Sequence, residues 1–368
     1  MAGTHHFTRR SLLGKLGLAG IVAGAATARR WWPGDASTPS HAQTPPSPHQ
    51  AHHGTNTVEG DVDPARNGFD PMALLTDFDY GTVSTLPSGQ TLREYQLIAS
   101  DKTIEVAPGV SFNAWAYNGR VPGPTLRCTE GDRLRITFLN GSSHPHSIHF
   151  HGIHRSPMDG VEEVPTGGRV VYEFDAEPFG LHLYHCHVPS LRRHLHKGLY
   201  GTFIIDPPTP RPPATELMMV MNGFDTNSDG ENEFYAVNTV AFHYAKHPIP
   251  LSLNELVRVY LVNATEFDPI NSFHLHANLF QVYRTGTSLT PHELTDVVTM
   301  GQAERHILEF RFKYPGPYMF HAHQSELGEL GWMGTFEVHD QAARGGISAP
   351  SAPVVLGAGV REGEAAHG

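Results

Sequence analysis

The chain has 368 residues, 26 of them histidine and only 2 cysteine, with a formal net charge of -11. That length suits two domains of ordinary size, and two cysteines argue against a disulfide framework. The acidic balance argues against nucleic acid as a partner, because phosphate binding needs a concentrated basic surface.

At the N-terminus, Thr8, Arg9, Arg10, Ser11, Leu12 and Leu13 set a twin-arginine pair before a Gly/Ala/Leu-rich stretch ending in Ala26, Thr27 and Ala28. Residues 1–28 therefore resemble a Tat export signal, which implies a periplasmic or secreted protein. A stable membrane span is not expected, since Lys15 interrupts the apolar stretch and leaves it short for a bilayer. Residues 29–75 read as a flexible leader: from about Arg29 to Pro71 the chain is rich in Pro, Ser, Thr, Gly and His and lacks apolar periodicity. His41, His49, His52 and His53 in it read as solvated side chains.

The next expected domain covers 76–207. Runs such as TLREYQLIAS, RLRITFLN and RVVYEFDA alternate or cluster Val, Ile, Leu, Phe and Tyr between Gly/Pro turns, which is strand patterning. Cys128, in PTLRCTEGD, reads as a buried structural thiol. In HSIHFHG, strand parity puts His149 and His151 on one face and His146 on the other. In HLYHCHVPSLRRHLHKGL the same parity puts His185 and His187 on one face and Cys186 on the opposite one. His146 and Cys186 can thus share one metal, completed by His194 from the following loop, while His149, His151, His185 and His187 line another. A thiolate with imidazoles suits a copper electron-transfer site; paired imidazoles suit copper, zinc or iron.

Pro207, Pro208, Pro210, Pro212 and Pro213 read as a stiff linker into a second β-rich domain, 208–340. Met218, Met219 and Met221 in ELMMVMNGF read as a buried strand. DTNSDGEN opens like a calcium loop, but its twelfth position is Ala236, so a polar turn is expected. The second half repeats the HxH pairs, as His274 and His276 and as His321 and His323, with Asn271 and Ala322 where His146 and Cys186 would recur. The imidazole site is therefore doubled and the thiolate site is not. Eight imidazoles exceed one tetrahedral zinc and fit a multi-metal cluster. Residues 341–368 read as a flexible tail, and the two repeated halves predict an all-β protein of two β-sandwich domains.

The four motifs, between about Leu92 and Val338, resemble the multicopper oxidases, specifically their two-domain laccase-like members. The resemblance implies cupredoxin-like Greek-key domains and four coppers per subunit. His146, Cys186 and His194 would hold type 1 copper; His149 and His274 type 2; His151, His185, His187, His276, His321 and His323 the type 3 pair. Leu199 would take the axial type 1 position, and a non-coordinating Leu there should raise the reduction potential. Asp159 matches an acid the family uses near the trinuclear centre, although an ordinary Asp-Gly turn explains it equally well. Glu326 and Glu329 are weaker candidates. His144, His154, His182 and His196 have no matched role, and His196 competes with His194.

The implied activity is oxidation of a phenolic, aromatic amine or metal-ion donor with dioxygen as acceptor, in a homotrimer with clusters at subunit interfaces. A copper-containing nitrite reductase is the nearest rival, followed by a cuprous ion oxidase serving copper tolerance. His149 and His187 favour oxygen reduction, because the nitrite-reducing centre has three histidines.

Overall fold

The computed structural model describes residues 58–340; the expected export signal, leader residues 29–57 and the tail 341–368 lie outside the described residues. Strand patterning translates directly into burial. In Arg133–Asn140, Leu134, Ile136, Phe138 and Asn140 are buried while Arg133, Arg135, Thr137 and Leu139 are half-buried, the period of two that seats one face on a core.

The first sandwich packs a sheet of Thr82–Thr85, Thr91–Ala107, Arg133–Asn140 and Arg169–Asp175, with Val110–Tyr117 folded back on Thr91–Ala107, against a second sheet. That second sheet runs Phe78–Asp79, Thr125–Thr129, Tyr200–Asp206, Gly180–His185, His149–Phe150. The other sandwich repeats the plan, and its sheet containing Gly316–His321 and Ile270–Leu275 corresponds to the one containing Gly180–His185 and His149–Phe150. The protein is all-β with cupredoxin-like sandwiches.

Each sandwich has its own apolar core, one around Phe138, Phe150 and Phe203 and the other around Phe273, Phe320 and Trp332. A third cluster joins side chains of both, including Leu181, Leu183 and Ile204 with Met218, Val220 and Tyr260. The strand Thr215–Phe224 is thus buried on both faces: Met219 and Met221 enter the second core, while Met218 and Val220 enter the shared one. Across the proline segment, Arg127 pairs with Asp206 at 2.8 Å and Glu216 at 2.6 Å.

One expectation needs correction. The leader was expected to run to residue 75, yet residues 58–75 are folded, with one-turn helices at Pro64–Asn67 and Pro71–Leu74 capped by Asp63 and Asp70. Phe69 and Leu74 join the shared cluster and Leu75 joins the second core. A few apolar residues spaced through polar sequence have no periodicity of their own, and they become ordered by inserting into cores made elsewhere.

Candidate metal centres

The thiol site is built where two strands end. Gly180–His185 pairs antiparallel with Tyr200–Asp206, and just beyond that pairing the Cys186 N–H donates to Leu199 O at 3.0 Å. His146 is fixed by a two-way backbone bridge to Val164, and His194 stands on the short helix Leu191–His196. Cys186 Sγ lies 3.1 Å from His194 Nδ1 and 3.8 Å from His146 Nδ1, and the two Nδ1 atoms are 3.2 Å apart. All three residues are buried, and Ser147 N–H donates to the sulfur at 3.4 Å. Leu199 is fully buried in the same apolar cluster as Cys186, and its N–H donates to His194 O at 3.2 Å.

The hydrogen bonds fix which nitrogen faces inward. Ser142 Oγ donates to Asp101 Oδ1 at 2.6 Å, so it accepts from His146 Nε2–H at 2.9 Å. His146 Nδ1 therefore keeps its lone pair toward the sulfur, the condition a ligating imidazole must meet. Burial, with His194 beside it, pushes the His146 imidazole down to about 3, and burial with Arg193 nearby pushes His194 to about 4. Burial pushes the Cys186 thiol up. Two neutral imidazoles and a buried sulfur converging within 4.8 Å fit a soft metal such as copper.

The imidazoles of the other HxH residues form two quartets of matching design. His149 pairs with His185 across one sheet and His274 with His321 across the other. His149 Nδ1 donates to Asp159 O at 2.8 Å, and His274 Nδ1 to Asp296 O at 2.8 Å. His185 Nδ1 donates to Cys186 O at 2.9 Å, and His321 Nδ1 to Ala322 O at 2.6 Å. These bonds leave the Nε2 lone pairs free. His151 Nε2 then faces His185 Nε2 at 3.1 Å, and His276 Nε2 faces His321 Nε2 at 2.9 Å. His187 stacks on His185 and His323 on His321, each with centroids 6.0 Å apart. Burial pushes His151 to about 3 and His185 to about 4. Among the described residues no ring contact joins the two quartets, and His276 and His323 are exposed.

Two serines escaped the sequence reading. His187 N–H donates to Ser147 Oγ at 3.2 Å, and His323 N–H to Ser272 Oγ at 2.8 Å. Each serine stands two residues before the first histidine of its early HxH pair, in HSIHFH and NSFHLH, and comparing the halves position by position would have found it. Trp115 was also missed: its ring centroid lies 5.0 Å from that of His146 and 4.9 Å from that of His194.

Asp159 lies beside the first quartet and in a tight turn. Its Oδ1 is 3.1 Å from His149 Nδ1 and 4.0 Å from His154 Nε2. It also opens a turn in which Gly160 has φ +73, and a Cβ on Gly160 would meet Ile148 O at 1.7 Å. Glu326 and Glu329 are exposed on the helix Ser325–Glu329, after His323. His196 points away from the thiol and accepts from Asp225 N–H at 3.0 Å. His182 and His154 are bonded to the carbonyls of Pro178 and Phe150 at 2.8 Å, and His144 lies against Trp115. Asp225 and Asp229 of the DTNSDGEN loop gather with Glu233 just after it, Asp225 accepts backbone N–H groups of Ser228, Asp229 and Gly230, and Ala236 lies in the strand Phe234–Val237.

Two multicopper oxidase family profiles match this chain, over residues 99–210 and 208–342. A solved multicopper oxidase is 55% identical, with TM-score 0.75, and the match covers 76% of this chain and 100% of that one. The chain belongs to the multicopper oxidase family. It is thereby an oxidoreductase whose family implies copper, and the histidine and cysteine groups described above could bind metal. More distant relatives straddle two activities. The copper-containing nitrite reductase of Neisseria meningitidis serogroup A / serotype 4A is 26% identical over 288 residues, 68% of this chain and 74% of that protein. A blue copper oxidase from Nitrosomonas europaea is 27% identical with TM-score 0.60, over 67% of this chain and 86% of that one.

Proposed function

We propose that this protein is a laccase-like multicopper oxidase coupling four one-electron oxidations of a phenolic, aromatic amine or metal-ion donor to reduction of dioxygen to two waters. His146, Cys186 and His194, beside Leu199, hold the type 1 copper. His149 and His274 hold type 2, and His151, His185, His187, His276, His321 and His323 hold the type 3 pair. Bound copper supplies one-electron transfer and dioxygen reduction, which no side chain provides alone. The observation carrying this reading is that both quartets are complete, so that His149 and His187 both have counterparts, His274 and His323, in the second sandwich. A nitrite-reducing centre of the resembled kind has three histidines.

The chain's own residues shape the rest. Carbonyls of Asp159, Cys186, Asp296 and Ala322 hold four imidazoles in one tautomer, so binding needs little reorganisation. Cys186 sits between His185 and His187 in sequence, and a few covalent bonds join its sulfur to both rings. Asp159 Oδ1, beside His149 and partly exposed, is placed to carry a proton between solvent and the first quartet. Exposure of the second quartet supports a homotrimer in which it meets the first quartet of the next subunit. The Thr8–Leu13 segment supports Tat export to the periplasm or beyond.

Copper quantification on the exported protein, with parallel oxygen-uptake and nitrite assays, tests the reading. Four coppers per chain with oxygen consumption are expected, whereas two coppers with nitrite turnover would replace this function by the rival one.

A further inference from the structure

A solvent-open cavity of about 360 Å³ lies beside the thiol site and is lined by Asp101, Asn113, Trp115, His144, Arg193 and Lys197, among others. Its size falls within the roughly 300–1,000 Å³ of small-molecule pockets. Trp115 forms part of its wall and touches both imidazoles of the thiol site, with centroids 5.0 and 4.9 Å away, while His144 lies 4.7 Å from the same ring. A molecule seated there meets the small exposed part of Trp115, whose ring is 6% exposed and touches the metal ligands, and the half-buried His144 ring.

The charges on this wall are unbalanced. The Arg193 guanidinium lies 5.0 Å from the Trp115 centroid and the Lys197 ammonium 4.7 Å from the Phe112 centroid, and neither has a carboxylate within 4.0 Å among the described residues. The one acid of the lining, Asp101, is already engaged by Ser142 Oγ at 2.6 Å and Ser143 N–H at 3.0 Å. Lys102 Nζ is turned to the carbonyls of Asn67 and Gly119. Lys102, Arg193 and Lys197 outnumber the one carboxylate of the lining, so the cavity is net positive and favours an anionic compound over a metal cation.

We infer that the cavity walled by Trp115 and His144 is the electron-donor site, that it selects small aromatic anions through Arg193 and Lys197, and that Trp115 is the surface through which the donor contacts the type 1 ligands. The inference rests on the oxidase reading and narrows its donors to phenols bearing a carboxylate or similar anion. In the step it describes, the phenolic O–H bond breaks, the proton goes to water, and one electron would be taken up by the copper that His146, Cys186 and His194 would hold. The donor leaves as an aryloxyl radical.

Calorimetry on the copper-loaded protein with redox-inert naphthalene-2-sulfonate should find one site per chain. Affinity should drop about tenfold in Arg193→Gln/Lys197→Gln and return in Arg193→Lys/Lys197→Arg. Trp115→Leu should weaken binding and Trp115→Phe should restore most of it. In oxygen-uptake assays, wild-type protein should prefer sinapate to its methyl ester through KM, and the double Gln variant should lose about tenfold of that preference. The type 1 absorption band reports whether each variant retains its fold and copper. Equal binding of naphthalene-2-sulfonate to wild type and double variant, or an unchanged ester preference, would overturn the inference, as would a lower KM for cuprous ion than for sinapate. Absence of oxygen uptake with every donor would overturn the oxidase reading instead, and the calorimetry would still decide whether the cavity binds aromatic anions.

Discussion

At the scale of single residues, the sites depend on atoms that hold ligands as much as on the ligands themselves. Ser142 is the clearest case, since its hydroxyl joins Asp101 to His146 and orients that imidazole. Ser142→Ala leaves a buried N–H without an acceptor, at a cost of about 1–3 kcal/mol, and second-layer losses of this kind weaken metal affinity about 10- to 100-fold. Thermal melts and competition for copper with a chelator, read on the type 1 band, should both show the loss. Retention of wild-type copper affinity would mean that Val164 and packing alone orient His146. The HxH parity was readable because strand period two is a local property. Ser142 and Asp101 were not, because the turn that brings Ser142 back onto His146 four residues later has no period, and Asp101 reaches Ser142 from the strand Thr91–Ala107.

At the scale of elements, the N-terminal segment and the helix His243–Lys246 form one docked unit. Tyr244 OH donates to Pro71 O at 2.6 Å, Lys246 Nζ donates to Val58 O at 2.8 Å, and His247 lies 3.3 Å from Asp61. Leu75, 2% exposed in the second core, anchors the end of the segment. Leu75→Ala should therefore cost about 2–5 kcal/mol in denaturant unfolding, where a flexible leader would cost nothing. Burial, with His247 adding to it, holds the His243 imidazole at about 4, below its ordinary 6.5. Between those values the unfolded chain binds the proton and the folded chain does not. The contribution is complete above pH 6.5 and fades as pH falls toward 4, by up to about 1.4 kcal/mol per unit. Stability measured at pH 7 and pH 4.5 should fall less for His243→Leu than for wild type; parallel losses would show that His243 is charged in the folded protein.

At the scale of the molecule, the two sandwiches divide the work unequally. The first carries the thiol site and one half-buried quartet; the second carries only a quartet, with Asn271 and Ala322 buried at the positions that match His146 and Cys186. Asn271 is not idle there, since its Nδ2 donates to Thr265 Oγ1 at 3.1 Å and Ser272 N–H donates to its Oδ1 at 2.8 Å. If two half-clusters of neighbouring subunits make one centre, a head-to-tail ring must close before oxygen can be reduced. Size-exclusion fractions should then carry oxygen uptake only in the trimer peak, and active monomers would remove the assembly from this account.

Residue type and local spacing alone determined the all-β class, the repeat, the four HxH pairs and the sorting of His146 from His149, because strand geometry converts sequence parity into faces. What surrounds those residues was decided by the tertiary structure. Asp159 lies beside His149 because Gly160 turns tightly against Ile148 O, His196 turns to Asp225 while His194 turns to Cys186, and Trp115 comes to both imidazoles from another strand. The segment 58–75 is ordered by cores and hydrogen-bond partners from residues far along the chain. Such contacts follow from packing between distant strands, which has no period in the sequence and exists only once the sheets have closed on one another.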